Sequence, residues 1–373
     1  MDNARFDRTA SEQVLLERAR AVVLEHPRPL GRAFTKEELQ TIFRKLAPTG
    51  YLASTLPKKS GGHGLTPIAF SAIVEGLSPE LTLLGNHSVQ RYLHQFATGA
   101  QQNRFMPDLL EGESIGAIAI TETEAGSNLE RIKTVARRIG SSYLIDGEKT
   151  WVTHGMSANV FVVLASTEAG LTRFLIPGNT PGLEREALQT VGLGHLTFAR
   201  LTFRSCEVPV ELRLGAEGEG LKGSKAAFPI ARVLAALQCV QITRAALEIA
   251  RSYAVSRVVA RTNLFESSLI QHGYSQLLGR SEAAYLLCLR VSLQLQSDNA
   301  VPNASAAKAI AGDLGLEACR WVEDLLGVSS LHADHPLLRL CGDVRMMGVV
   351  DGTSALNHLV VARRLLSAEG SAK

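Results

Sequence analysis

The chain has 373 residues, of which 46% are hydrophobic and 20% charged; this suits two or three structural layers and excludes a largely disordered chain. Lys plus Arg is 39 against 36 for Asp plus Glu, so the formal net charge is +3, too small for a nucleic-acid footprint. The five cysteines, Cys206, Cys239, Cys288, Cys319 and Cys341, show no C-x-x-C spacing, which argues against a zinc ribbon or disulfide framework and fits a reducing compartment.

The N-terminus, Met1 to Asp7, lacks the apolar run of a signal peptide. No stretch reaches the roughly 18 uninterrupted apolar residues of a membrane span. A cytoplasmic protein with no membrane or nucleic-acid partner is the expectation.

Residues 1–112 read as a helical N-terminal domain. Val14, Leu15, Leu16, Ala19, Val22 and Val23 give helical spacing, and Thr35 with Glu38 forms a capping box before a helix over Lys36–Leu46. Gly61-Gly62-His63-Gly64 breaks the pattern. Helices then resume over Ile68–Leu77, Val89–Phe96 and Gln101–Leu110, the last closed by Gly112. Residues 113–218 change period and read as a small β-barrel or sandwich. Asp146-Gly147 is expected to turn a hairpin, and strands are expected at Asn159–Leu164, Arg173–Pro177 and Thr197–Val208. Residues 219–373 read as a C-terminal four-helix bundle, with long helices over Ile230–Ala260, Leu269–Leu295 and Ala304–Leu326 and a last one from Gly352 or Thr353 to Ser367. The fold class is therefore α+β, ordered α, β, α.

The commonest chemical motifs are missing. No G-x-G-x-x-G follows a strand, and there is neither a phosphate-binding G-x-x-x-x-G-K-S/T nor a G-x-S-x-G. Gly215, Gly218 and Gly220 read as a linker. His332, Asp334 and His335 read as surface turn residues, and no metal is expected.

The informative segments are Thr121-Glu122-Thr123-Glu124-Ala125-Gly126-Ser127 and Gly147-Glu148-Lys149-Thr150-Trp151-Val152-Thr153. They resemble the T-E-P-x-A-G-S-D and G-x-K-x-W-I-T signatures of the acyl-CoA dehydrogenase family. Gly61-Gly62-His63-Gly64, the Met106–Glu113 stretch, Leu214–Gly220 with Arg232, and Val350-Asp351-Gly352-Thr353-Ser354 resemble further family motifs in the same order. The resemblance implies FAD, an acyl thioester on CoA or a carrier protein, and electron-transfer flavoprotein or oxygen as acceptor. A homo-dimer or homo-tetramer is also implied. FAD contacts would fall at Thr121, Trp151, Val152, Thr153, Arg257, Arg261, Gly327 and Thr353, and substrate contacts at Ser127, Arg232 and Gly352. Judged alone, Trp151 would read as a core aromatic and the two threonines as strand or turn residues.

Two departures stand out. The family's base is usually the Glu of Y-E-G-T, and the register here places Asp351, a carboxylate shorter by one C–C bond. The alternative family position for the base, before Arg232, is Ala231. Asp351 is thus the expected catalytic base, although Asp before Gly-Thr also suits a helix N-cap. The glycine-rich FAD loop keeps only Gly327, and the Arg of the family's R-D pair is Gly342. Either Arg257 or Arg261 matches the arginine expected after the first long helix. The reading is an FAD-dependent α,β-dehydrogenation of an acyl thioester. The alternatives are an inactive binding or assembly subunit and a same-fold flavin oxidase or monooxygenase. The shortened base and altered loop suggest specialised metabolism, with Arg200, Arg204, Arg213 and Arg232 as candidates to meet a carrier protein or CoA phosphates.

Overall fold

The computed structural model describes residues 7–370 apart from 84, 85, 127, 223, 296 and 298. Five helices come first: α1 (Ala10–Glu25), α2 (Lys36–Leu46), α3 (Pro67–Leu77), α4 (Asn86–Phe96) and α5 (Gly99–Glu111). Capping boxes open three of them, at Thr9 with Glu12, Thr35 with Glu38, and Thr98 with Gln101. Each pair satisfies two backbone donors that a helix start leaves exposed. Gly112 ends α5 in the left-handed region, where a Cβ would stand 2.6 Å from the Arg44 backbone nitrogen.

Eight strands follow: β1 (Gly116–Ala119), β2 (Val135–Ile139), β3 (Ser142–Val152), β4 (Val160–Thr167), β5 (Gly170–Pro177), β6 (Leu183–Ala187), β7 (Ala199–Pro209) and β8 (Arg213–Leu214). They join in one sheet, ordered β6-β7-β3-β2-β4-β5-β8, with β1 pairing parallel to β4. Asp146-Gly147 does not turn a hairpin. β3 runs straight through it, with a register shift against β7 between Ile145 and Gly147. The turn lies earlier, at Gly140-Ser141, since Ile139 pairs with Ser142. Gly147 is needed because its Cβ would stand 2.6 Å from Thr134 Cα, while Asp146 accepts from the Ser205 N–H at 2.7 Å. The D-G pair here builds a bulge, the other common use of that chemistry.

The C-terminal part comprises α6 (Ser224–Ser256), a short ribbon of β9 (Val258–Val259) and β10 (Thr262–Asn263), α7 (Ser268–Leu293), α8 (Ala300–Leu326), α9 (Pro336–Val349) and α10 (Ser354–Gly370). The first helix stops at Ser256, four residues short of the expected Ala260, which turns the ribbon at φ 50°. The expected four-helix bundle holds a fifth helix, α9. Its Gly342 and Gly348 lower helical propensity, and the burial of Leu337, Leu340, Val344 and Met347 compensates. Pro229–Ser256 is long and apolar enough to cross a membrane, but 72% of its apolar window is buried inside the protein. All five cysteines are buried and unpaired.

The three parts share one core cluster. Two buried polar junctions lock them. Glu75 on α3 accepts from Arg8 and, at 3.1 Å, from the Tyr285 hydroxyl on α7. Asp343 on α9 accepts from Arg28 and from the Leu193 N–H. Beside it, Gly192 and Gly342 meet backbone to backbone: a Cβ on Gly192 would lie 2.0 Å from the Gly342 carbonyl oxygen. That contact leaves no room for the arginine of an R-D pair at position 342. Gly218 and Gly220 do more than link, since their N–H groups bond Thr172 and Leu171 of β5.

Candidate active site

Asp351 lies in the four-residue bend between α9 and α10, with φ 56°, a left-handed conformation that Asp tolerates better than most residues. It is not the helix cap. Thr353 caps α10, its hydroxyl accepting from the Leu356 N–H at 3.3 Å. The bend is held by its carbonyls. Arg232 on α6 donates from Nε to the Asp351 oxygen at 3.3 Å and from Nη1 to Ser305 Oγ at 2.9 Å. Lys308 on α8, wholly buried, donates to the Gly348 and Gly352 oxygens at 3.0 and 3.3 Å. Asn357 adds a bond to Gly352 at 2.9 Å. Gly352 itself, at φ 100°, would bring a Cβ within 3.3 Å of Asn357 Nδ2. The Asp351 side chain is left to its charge environment. Burial pushes its carboxyl above the ordinary range, and Lys308, Arg232 and Arg91 pull it back without cancelling the shift.

Arg91 arrives from α4. Val89 on that helix packs against Gly116 at the start of β1. Two residues further on, the Arg91 guanidinium is close enough for its charge and that of Asp351 to act on each other. The same β1 leads into the second part of the site.

The segments around Thr121 and Trp151 are joined by the Thr150 N–H bonding the Thr121 oxygen at 2.8 Å. Beneath them lies a buried ion pair, Glu122 with Lys149 at 2.7 Å. Glu122 also accepts from the Lys133 and Thr134 N–H groups and the Thr134 hydroxyl, and Lys149 also donates to the Ile120 oxygen. Although burial opposes it, this ring of donors holds the Glu122 carboxyl below its ordinary range. Trp151 is no core aromatic: it is 52% exposed, at φ 58°, on the irregular end of β3. Val152 next to it is buried, and Thr121 and Thr153 are half-buried. Among the described residues, neither threonine hydroxyl makes a hydrogen bond to the protein. The loop after Thr153 is pinned by Arg185, which donates to the Gly155, Met156, Ala158 and Gly178 oxygens and lies over the Phe161 ring.

Arg257 and Arg261 are both exposed; Arg257 precedes the β9–β10 ribbon and Arg261 sits in its turn at φ 73°. The ribbon is why sequence spacing gives no single register for the arginine. Gly327 ends α8 at φ 56° and is exposed, next to Val328 at 83% exposure. Ser127 lies outside the described residues. His332 and His335 make local turn and cap bonds to the Asp334 and Leu337 N–H groups. Arg200, Arg204 and Arg213 pair with Glu186, Glu184 and Glu217. Sequence reasoning passed over Lys308, Arg91 and the Glu122–Lys149 pair. For Lys308 there was a signal: one charge inside the small, apolar run Ala304–Ala311.

Models of the N-terminal, middle and C-terminal domains of acyl-CoA dehydrogenases match residues 9–113, 117–206 and 218–366. The human mitochondrial short-chain specific acyl-CoA dehydrogenase is 28% identical over 373 residues, spanning 95% of this chain and 90% of its own. Benzylmalonyl-CoA dehydrogenase of Aromatoleum aromaticum is 30% identical, spanning 97% and 96%. The crystal structure of acyl-CoA dehydrogenase from Geobacillus kaustophilus superposes with a TM-score of 0.89 at 23% identity, over 97% of this chain and 100% of that one.

Proposed function

The chain belongs to the acyl-CoA dehydrogenase family of FAD-dependent oxidoreductases, and on that footing we propose that it desaturates a short acyl-CoA with Asp351 as the base. The observation that carries this is the Asp351 bend: a half-buried carboxylate on a backbone held by Arg232 from α6 and Lys308 from α8. A carboxylate whose proton affinity is raised is a better acceptor for the weakly acidic α proton of a thioester. Arg232, Lys308 and Asn357 fix the bend from behind, so a side chain shorter than Glu keeps a defined position. In this reading the Asp351 N–H polarises the thioester carbonyl, as backbone donors do in oxyanion sites, while the Gly352 N–H is taken up by the Val349 oxygen at 3.2 Å.

The residues present fit FAD. Half-buried Thr121 and Thr153 have hydroxyls unused by the protein, and exposed Trp151 offers an aromatic face beside buried Val152. Arg257, Arg261, Gly327 and Thr353 supply exposed positions for its phosphate and ribose parts. When bound, FAD supplies the acceptor for the β hydride, and the electrons then pass to an electron-transfer flavoprotein. Ser127 is taken here as a substrate contact, whereas Arg232, held by the Asp351 oxygen and Ser305, acts through the bend. The pairing of Arg200, Arg204 and Arg213 with local acids weakens them as contacts for a carrier protein and for the CoA phosphates alike. Exposed Val328 and Leu331, just after α8, favour a homo-oligomer.

The test is anaerobic titration of the FAD-loaded protein with acyl-CoA and with the same acyl group on a phosphopantetheinyl carrier. Bleaching of the flavin by the CoA thioester supports the proposal. A protein that takes up no flavin supports instead an assembly subunit, and faster bleaching by the carrier thioester would replace CoA.

A further inference from the structure

Two residues at the end of β3 stand in a conformation that side chains ordinarily avoid. Trp151 has φ 58° and His154 φ 60°, and between them lie Val152 and Thr153. Left-handed backbone at non-glycine residues persists only where the surroundings hold it. On the N-terminal side the hold is the Thr150 N–H on the Thr121 oxygen. On the C-terminal side it is a turn, and most of that turn hangs on one side chain, Arg185.

Arg185 comes from β6, the end strand of the sheet. Its Nη1 donates to the Gly155, Met156 and Ala158 oxygens at 3.3, 3.1 and 3.1 Å, and its Nη2 donates to the Gly178 oxygen. The guanidinium lies 5.0 Å from the centre of the Phe161 ring. The N–H groups of the turn are spent inside it: Gly155 bonds the Val152 oxygen, and Ser157 and Ala158 bond the His154 oxygen. Among the described residues no other donor reaches the Gly155, Met156 and Ala158 oxygens; the Ser157 hydroxyl, 3.2 Å from that of Thr197, adds one further tie. Gly178 makes the room, since a Cβ there would lie 2.4 Å from Arg185 Nη2.

No acid competes for this guanidinium. Glu184 and Glu186, on either side of it along β6, pair with Arg204 and Arg200. Burial lowers the Arg185 pKa, and no carboxylate raises it. A guanidinium kept off the acids and shared among four carbonyls is a bracket for backbone. Its planar fork of donors suits that task, and the point charge of a lysine does not.

We propose that Arg185 is a positioning residue for the flavin: by holding the turn after β3 it keeps Trp151 and Thr153 where the cofactor meets them. This rests on the flavin reading of those two residues above.

The test compares the full chain with Arg185→Met and Arg185→Lys, each in a Trp321→Phe background that leaves Trp151 as the single tryptophan. Trp151 is probed by acrylamide quenching in the flavin-free protein, which is then titrated with FAD for its Kd. Arg185→Met should weaken FAD binding at least about 10-fold, the equivalent of one charge-assisted hydrogen bond, and should change the quenching of Trp151. Arg185→Lys, able to meet one or two of the carbonyls, should fall between. Arg8→Met is the comparison: it breaks the junction with Glu75 and lowers the melting temperature without touching the turn, and it should leave FAD affinity near that of the unaltered chain. Unchanged FAD affinity in Arg185→Met, weaker affinity with Trp151 unmoved, or an equal loss in Arg8→Met overturns the proposal. If Arg185→Met does not fold, Arg185→Lys decides in the same way. An unaltered chain that takes up no FAD overturns the flavin reading itself, and the proposal with it.

Discussion

Two acids, Glu122 buried and Asp351 half-buried, each close to a buried lysine, behave in opposite ways. Glu122 accepts bonds from Lys149, two backbone N–H groups and a hydroxyl, and its carboxyl is held below its ordinary range. Asp351 has three cations in its surroundings, yet they are tied to backbone or, in the case of Arg91, to nothing described, and its carboxyl is held above its ordinary range. A hydrogen-bonded, charge-balanced pair is scaffold. A carboxylate short of direct partners, among surplus positive charge, is prepared to react or to bind.

The largest effects should come from breaking the scaffold. Removing one partner of a buried pair leaves an uncompensated charge, so Lys149→Met should cost about 3–5 kcal/mol, read by denaturant unfolding. An effect under about 1 kcal/mol would mean that Glu122 is not the keystone described here. The pair should also matter less in acid. A lowered carboxyl pKa contributes stability that is present above the unfolded value and lost as pH falls through the folded one, so the penalty of Lys149→Met should shrink there.

Restoring the family's arginine at position 342 should also harm. A Cβ there would lie 2.1 Å from the Val191 oxygen, and Gly342→Arg should destabilise by about 3 kcal/mol, the upper end of overpacking costs. A variant of wild-type stability would show that α9 can move away from the Gly192 loop.

A smaller effect, of opposite sign, is expected at the reactive acid. Its raised pKa means that ionisation costs more in the folded chain than in the unfolded one. Asp351→Asn should therefore raise the melting temperature at neutral pH, and the gain should vanish below the unfolded aspartate value, about 3.9. Lowered thermal stability at neutral pH would place Asp351 with Glu122 as scaffold. Trp151→Ala should leave stability within about 0.5 kcal/mol, since the side chain is exposed, and should weaken flavin retention on gel filtration.

The features legible in the sequence were those decided locally. The Thr35–Glu38 capping box and Gly112 stop act within one turn of helix, and residue type fixes them. Asp146-Gly147 was misread because D-G serves a turn and a bulge equally; what decides is the partner strand β7, far along the chain. α9 was missed because its Gly342 answers to the Gly192 contact rather than to helix propensity. In the site, the motif register placed Asp351, whereas its neighbours Arg91 and Lys308 come from separate helices and carry no motif. The exposure of Trp151 was likewise invisible, since a lone Trp usually signals core.

The account stands on Asp351 as the proton acceptor, and one experiment addresses it directly: the rate of anaerobic flavin reduction by an acyl-CoA substrate in the wild type and Asp351→Asn, followed against pH. Asn keeps the size and tolerates the left-handed bend but accepts no proton. The variant should retain FAD and bind the thioester, while reduction slows by at least about 100-fold. In the wild type the rate should fall in acid through a midpoint above the ordinary aspartate range, because the protonated carboxyl cannot take the α proton. An Asp351→Asn protein that reduces its flavin at the wild-type rate would contradict the account.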